Sequence, residues 1–201
     1  MTRISFAVSI ALLLVPTPPA LAQKLKASIR ERCPDEQTYT GKYRNRVFGF
    51  SIIIPPRLTG YWNSARCVWD EENGCLCMND HGRFIPLADN AHIEAFVGWE
   101  MEEGWSAKDY ENEELSNLRT REGITQLKVI RSNWTRLGRL RARRFVVQFT
   151  EKDRSTLIDH LIALSGGVEY ELILHTSPER YQQDQRQLEK VISSWRSTRR
   201  I

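Results

Sequence analysis

Across 201 residues the chain carries 29 lysines and arginines against 25 acids, a net charge of +4, which is too even a balance to mark a nucleic-acid partner. The length suits one domain with a sizeable core. No apolar run approaches the roughly 20 residues that cross a bilayer as a helix, so no membrane span is expected once the leader is removed.

The chain opens with Arg3, an apolar run over 4–15, prolines at 16, 18 and 19, and then Ala20-Leu21-Ala22. A positive start, a short apolar stretch and small residues at both specificity positions read as a signal peptide over 1–22, cleaved before Gln23. No cysteine immediately follows the cleavage point, so no lipid anchor is expected, and the mature protein is expected to be secreted or periplasmic. Cys33, Cys67, Cys75 and Cys77 all lie beyond that point. An even cysteine count in an exported chain reads as two disulfides. Cys75 and Cys77 are poorly placed to bridge each other, so Cys67 pairs with one of them and Cys33 with the other, the choice being open.

Residues 23–38 are polar and mixed in charge, a leader to a single domain over 39–201. The stretch 43–54 reads as β structure, closed by Pro55 and Pro56, which cannot donate to a ladder. Residues 57–90 read as a loop-rich insertion with turn signals at Glu72-Asn73-Gly74 and Asn79-Asp80-His81-Gly82, ordered by its cysteines. Residues 91–99 restore a strand pattern. Ser106 and Asp109 then fit a helix start, with the helix running to about Leu118. After Gly123, β segments over 125–136, 140–150, 155–164 and 168–175 are joined by connections short enough for hairpins, hence an antiparallel meander. The last element is an amphipathic helix with Tyr181, Leu188, Val191, Ile192 and Trp195 on one stripe and a capping box at Thr176 and Glu179. The fold class is α+β, an antiparallel sheet flanked by helices.

The segment Tyr43-Arg44-Asn45-Arg46-Val47-Phe48-Gly49-Phe50-Ser51-Ile52-Ile53-Ile54-Pro55, followed by a middle strand and helix and by a meander whose strand Tyr170-Glu171-Leu172-Ile173-Leu174 leads into the final helix, resembles the PsbP-like fold over 39–56 and 125–197. That resemblance implies an α/β/α sandwich of the kind found in extrinsic photosystem subunits and in many small exported bacterial proteins, mostly non-catalytic binding or assembly modules. The disulfide-stapled insertion departs from the pattern.

The richest chemical cluster is Cys75-Leu76-Cys77-Met78-Asn79-Asp80-His81 with Cys67 upstream. Its Cys-x-Cys spacing is tighter than the usual zinc spacing, and an oxidising compartment competes for the thiols. Neither metal nor cofactor is expected. His81, His92, His160 and His175 lie in no hydrolase motif and read as satisfied sheet or surface residues. Asp159 and His160 are neighbours on a strand and point to opposite faces, so they form no dyad. Arg131, Arg136, Arg139, Arg141, Arg143 and Arg144 crowd one hairpin, where Arg141 and Arg143 share a face; a solvated face balanced by Glu151, Asp153 and the acids at 169–171 is preferred over an anionic partner.

The sequence therefore leads to an exported, non-enzymatic module that binds or assembles a protein or small ligand through the insertion. The candidate contact residues are Tyr61, Trp62, Asp80, His81 and Arg83, with Arg141 and Arg143 as an anionic-partner site. The rival reading is a small hydrolase or metal-dependent enzyme built on Asp80, His81 and the cysteines.

Overall fold

The computed structural model describes residues 37–46, 48–63, 67–70, 74–77, 79–85, 87, 91–99 and 104–197; at 37, 62–63, 67–70, 74–77 and 79–81 it describes the backbone alone. Contacts divide the chain into Met1–Arg32 and Cys33–Ile201. The segment expected to be a signal peptide, Cys33 and most of the expected leader lie outside the described residues.

In chain order the elements are β1 (Gln37–Tyr39), β2 (Lys42–Asn45), β3 (Phe50–Ile53), β4 (Thr59–Asn63), β5 (Cys67–Asp70), β6 (Gly74–Cys77), β7 (Asn79–Ile85), β8 (His92–Trp99), α1 (Ala107–Thr120), β9 (Ile124–Leu137), β10 (Leu140–Glu151), β11 (Arg154–Ser165), β12 (Val168–Thr176), α2 (Tyr181–Ser194) and β13 (Arg196–Ser197). Among the described residues the main sheet has eight strands in the order β1-β4-β7-β8-β12-β11-β10-β9, beside a β13-β3-β2 sheet and a β5-β6 pair. Every pairing is antiparallel. The architecture is α+β, as expected.

The meander is set by its turns. Gly138 at φ +60°, followed by Arg139 without a positive φ, makes the β9-β10 turn type II′, and Gly166 and Gly167 at +59° and +74° make the β11-β12 turn type I′. These turn types match the twist of the strands they join. The β10-β11 turn takes the same I′ form with Lys152 and Asp153 at +49° and +64°.

Alternation along the strands buries both faces of the sheet across β10, β11 and β12, while β9 stays mostly exposed. One face carries Ala142, Leu161, Ala163, Tyr170, Leu172 and Leu174 into a core with Phe50, Ile52 and the α2 residues Leu188 and Val191. Trp195, just past α2, stacks on Phe50 at 4.8 Å and 5°. The other face packs Phe145, Val147, Phe149, Ile158 and Ile162 against Ala107, Leu115 and Leu118 of α1. The sheet therefore has one helix on each side.

Three expectations change. Residues 57–90 are not loop-rich: β4 and β7 are members of the main sheet, and β5 and β6 form a hairpin between them. The capping box at Thr176 and Glu179 does not form, because Thr176 ends β12 and α2 starts at Tyr181; the Thr176 hydroxyl instead donates to buried Asp184 at 2.6 Å. The hairpin arginines do not form one solvated face, because two of them are buried. The start of α1 is as expected, with the Ser106 backbone N–H donating to Asp109 Oδ2 at 2.8 Å. The Ser106 hydroxyl and that N–H together hold the Asp109 carboxyl below its usual range.

Candidate functional site

Arg143 and Arg144 are consecutive residues of β10, so they leave the strand on opposite faces and meet different helices. Arg143 Nε donates to Glu111 Oε2 of α1, and its Nη2 donates to the Ser132 hydroxyl. Burial pushes the Glu111 carboxyl up, but hydrogen bonds from Arg143, Ser132 and Lys108 outweigh it and leave the group below its usual range. On the α2 side, Arg144 donates twice to Asp159, at 2.7 Å each, and once to Glu189 at 2.6 Å. Asp159 also accepts from Tyr181 at 2.8 Å, and burial followed by the Asp159 charge pushes that phenol upward. These two charged clusters clamp the helices to the sheet. Their acids are Glu111, Asp159 and Glu189, while Glu151, expected as a partner, pairs with Arg121 at 2.9 Å.

What remains of the basic hairpin is exposed. From Gly123 to Thr150 the sequence has no acid, and among the described residues Lys128, Arg136, Arg139 and Arg141 make no ion pair. The three arginines lie beside Trp134, which is 43% exposed on β9. The Arg141 guanidinium lies 4.0 Å from the Trp134 ring centroid and that of Arg143 5.4 Å. Arg141 and Arg143 thus share a face as expected, with an indole between them that the sequence reading passed over. Trp134, Thr135, Arg136, Arg139 and Arg141 line a shallow cavity of about 580 Å³. β9 pairs only with β10, so its outer edge is open among the described residues. The ladder is irregular where Val129 and Lys128 sit and regular over 131–137.

A second polar group lies on the α1 face of the sheet, beyond the strands that α1 touches. β8 alternates half-buried His92, Glu94 and Phe96 with buried Ile93, Ala95 and Val97. Register sets His92 opposite His175 and Glu94 opposite Arg83. His92 Nε2 lies 3.0 Å from Glu94 Oε1, and His175 Nε2 lies 3.7 Å from Glu94 Oε2. The two imidazoles stack at 4.6 Å and 13°. Arg83 Nη2 sits 3.1 Å from His92 Nδ1. Beside His175 a cleft of about 540 Å³ is lined by Arg154, Ser155, Thr156, Ser177 and Glu179. His160, deeper on this face, pairs with Glu171 at 2.6 Å.

Of the insertion residues, Tyr61 is exposed and directly opposite Arg83 in the β4-β7 pair. Trp62, opposite Gly82, and Asp80, opposite Val97, occupy register positions on the other face. His81 shares the Arg83 face, two residues away. The side chains of Trp62, Asp80, His81, Cys67, Cys75 and Cys77 lie outside the described residues. The backbone register sets Cys67 opposite Cys77 and Trp69 opposite Cys75.

The fold is PsbP-like. The solution structure of cyanobacterial PsbP from Synechocystis sp. PCC 6803 matches with TM-score 0.50 and 14% identity, over 81% of this chain and 92% of that one. A Pseudomonas aeruginosa protein of unknown function, described as a putative regulator, matches at TM-score 0.44 and 12% identity over 78% of this chain and 94% of its own. LpqN of Mycobacterium tuberculosis, described as involved in cell envelope biogenesis, matches at 0.44 and 10% over 87% and 96%. At 14% identity the likeness to the cyanobacterial structure is one of fold alone. No family model and no curated protein matches the chain.

Proposed function

We propose that this chain is exported and, once its leader is removed, acts as a non-enzymatic binding module that takes an extended, acidic segment of a partner protein along the free edge of β9. One observation carries the reading. A half-exposed tryptophan, Trp134, sits among Arg136, Arg139 and Arg141 on the regular stretch of an edge strand. Open edges invite strand addition and are normally blunted. Irregular pairing blunts β9 near Val129, whereas 131–137 keeps straight pairing geometry. Main-chain hydrogen bonds to that edge would supply affinity, and the arginines would select carboxylates on alternate residues of the incoming strand. Export rests on the leader over 1–22. No described helix is long and apolar enough to cross a membrane.

The insertion contributes a disulfide in this reading. Residues opposite each other in an antiparallel pair have Cα atoms roughly 4.5–5.5 Å apart, within the span a disulfide bridges. The β5-β6 register therefore favours Cys67–Cys77 and leaves Cys33 for Cys75. The enzymatic rival gains no support: Asp80 and His81 are consecutive on β7 and belong to opposite faces of the sheet.

Fluorescence anisotropy with a dye-labelled peptide of alternating glutamate and valine tests the reading. The peptide should bind, weaken as salt rises, and lose most of its affinity for Trp134→Ala and for the Arg136→Glu/Arg141→Glu double variant. Equal binding to the charge-reversed protein, or none to the wild type, overturns it.

A further inference from the structure

Two imidazoles and a carboxylate meet on the open part of the α1 face, and the helix clamps do not use them. We propose that His92, Glu94 and His175 form a binding site for a borderline divalent cation of the zinc class. The site is independent of the β9 edge.

The argument begins with the donor set. Imidazole nitrogen and carboxylate oxygen are zinc-type ligands, with Zn–N about 2.0–2.1 Å and Zn–O about 2.0–2.2 Å. At a tetrahedral angle these lengths place N and O roughly 3.4 Å apart. The observed separations, 3.0 Å for His92 Nε2 to Glu94 Oε1 and 3.7 Å for His175 Nε2 to Glu94 Oε2, lie on either side of that value. All three donor atoms fall within 4.8 Å of one another. The two imidazoles are stacked 13° from parallel, so sharing one ion requires the half-buried rings to turn out of that stack and aim their Nε2 lone pairs at a common point. Both Nε2 atoms already lie near the same carboxylate, and a cation there requires both imidazoles neutral with Nε2 unprotonated.

The fold also fixes the ligands. His92 and Glu94 are two residues apart on β8 and so share a face, and the β8-β12 register sets His175 beside His92. Each ligand therefore stands on a strand of the main sheet, which suits a preformed site. Three protein ligands leave a fourth position open. His175 lines the cleft that also holds Ser155, Thr156 and Ser177, from which water or a ligand carboxylate reaches the ion.

Arg83 opposes the cation. Its Nη2 lies 3.1 and 3.3 Å from the two ring nitrogens of His92, close enough for its charge to repel a positive ion held there. Arg83 is exposed and can swing away. Its removal should tighten binding, an effect opposite in sign to removal of a ligand.

The test is isothermal titration of the purified protein with zinc chloride after free thiols have been alkylated, which removes the cysteines as competing ligands. One equivalent should bind. His175→Ala and Glu94→Gln should each weaken binding tenfold or more, with the far-UV circular dichroism of Glu94→Gln unchanged. Arg83→Ala should tighten it several-fold. Cobalt(II) in place of zinc should give d–d absorption without a thiolate charge-transfer band. No stoichiometric binding, or binding that survives Glu94→Gln in the folded protein, overturns the proposal.

Discussion

Asp159 is fully buried, and cutting its link to Arg144 should be among the most damaging polar changes available in this domain. In Asp159→Leu, Arg144 keeps only Glu189, whose side chain is 48% exposed and therefore solvent-screened. In Arg144→Met, Asp159 keeps the Tyr181 hydroxyl at 2.8 Å and Arg131 at 3.7 Å. At roughly 4 Å and an effective dielectric near 20, an ion pair attracts by about 4 kcal/mol. Desolvation costs several kcal/mol per ion, so the intact pair contributes little net while a single deletion leaves one buried charge with only a solvent-screened ionic partner. Each single variant should lose about 3–5 kcal/mol, and the Arg144→Met/Asp159→Leu double variant should lie much nearer to wild type, within about 2 kcal/mol. Urea unfolding at pH 7 measures all four proteins, with equal m-values required before the cycle is closed. Single variants that each lose less than about 1 kcal/mol, or a double variant whose loss is additive, would refute the reasoning.

Glu111 sets an acid limit. Its folded carboxyl titrates below the ordinary value of 4.5, so its contribution is complete above that value and is lost as pH falls through the lower folded one. Stability measured by urea midpoint should drop on acidification in that window, and Glu111→Gln should flatten the drop; an unchanged acid limb in the variant counts against the Arg143 clamp. Mass-spectrometric peptide mapping of the unreduced native protein should find Cys67 joined to Cys77. A Cys67–Cys75 bridge would contradict the β5-β6 register.

The local elements were legible where the residues themselves decide. The four meander strands were readable to within a residue or two because their turns carry Gly138, Gly166-Gly167 and Lys152-Asp153 between alternating apolar positions, and the start of α1 was readable because Ser106 and Asp109 cap it. Residues 57–90 were misread because short strands with glycine and polar residues lack alternation; β4 and β7 become strands through pairing with β1 and β8. The fates of Arg143 and Arg144 were hidden for another reason. Their strand alternation was correct, but nothing local announces that a helix covers each face and brings Glu111 to one and Glu189 to the other. The histidine site was beyond reach for a similar reason: His92 and His175 are neighbours only because β8 inserts next to β12, and sequence pattern does not specify which strands lie side by side.

Covering decides what each half of the sheet can do. Where α1 and α2 cover the two faces of β10 and β11, the buried charges are held in paired clamps. The unpaired arginines are left at the β9 edge, outside both helices. On the β7-β8-β12 side no described helix covers the α1 face, and His92, Glu94 and His175 remain half-buried, wet enough to exchange a ligand and packed enough to hold a geometry. A charge-reading edge and a chelating face can therefore occupy one sheet without competing, because the strand that carries the arginines and the strands that carry the imidazoles are separated by the sealed section between them. Charge reversal at Arg136 and Arg141 should accordingly leave zinc affinity unchanged, and Glu94→Gln should leave peptide binding unchanged. The two sites lie on either side of a doubly packed block; the arginine edge meets the block at the Arg143 clamp, whose guanidinium is 5.4 Å from Trp134, whereas the three chelating residues take no part in either clamp.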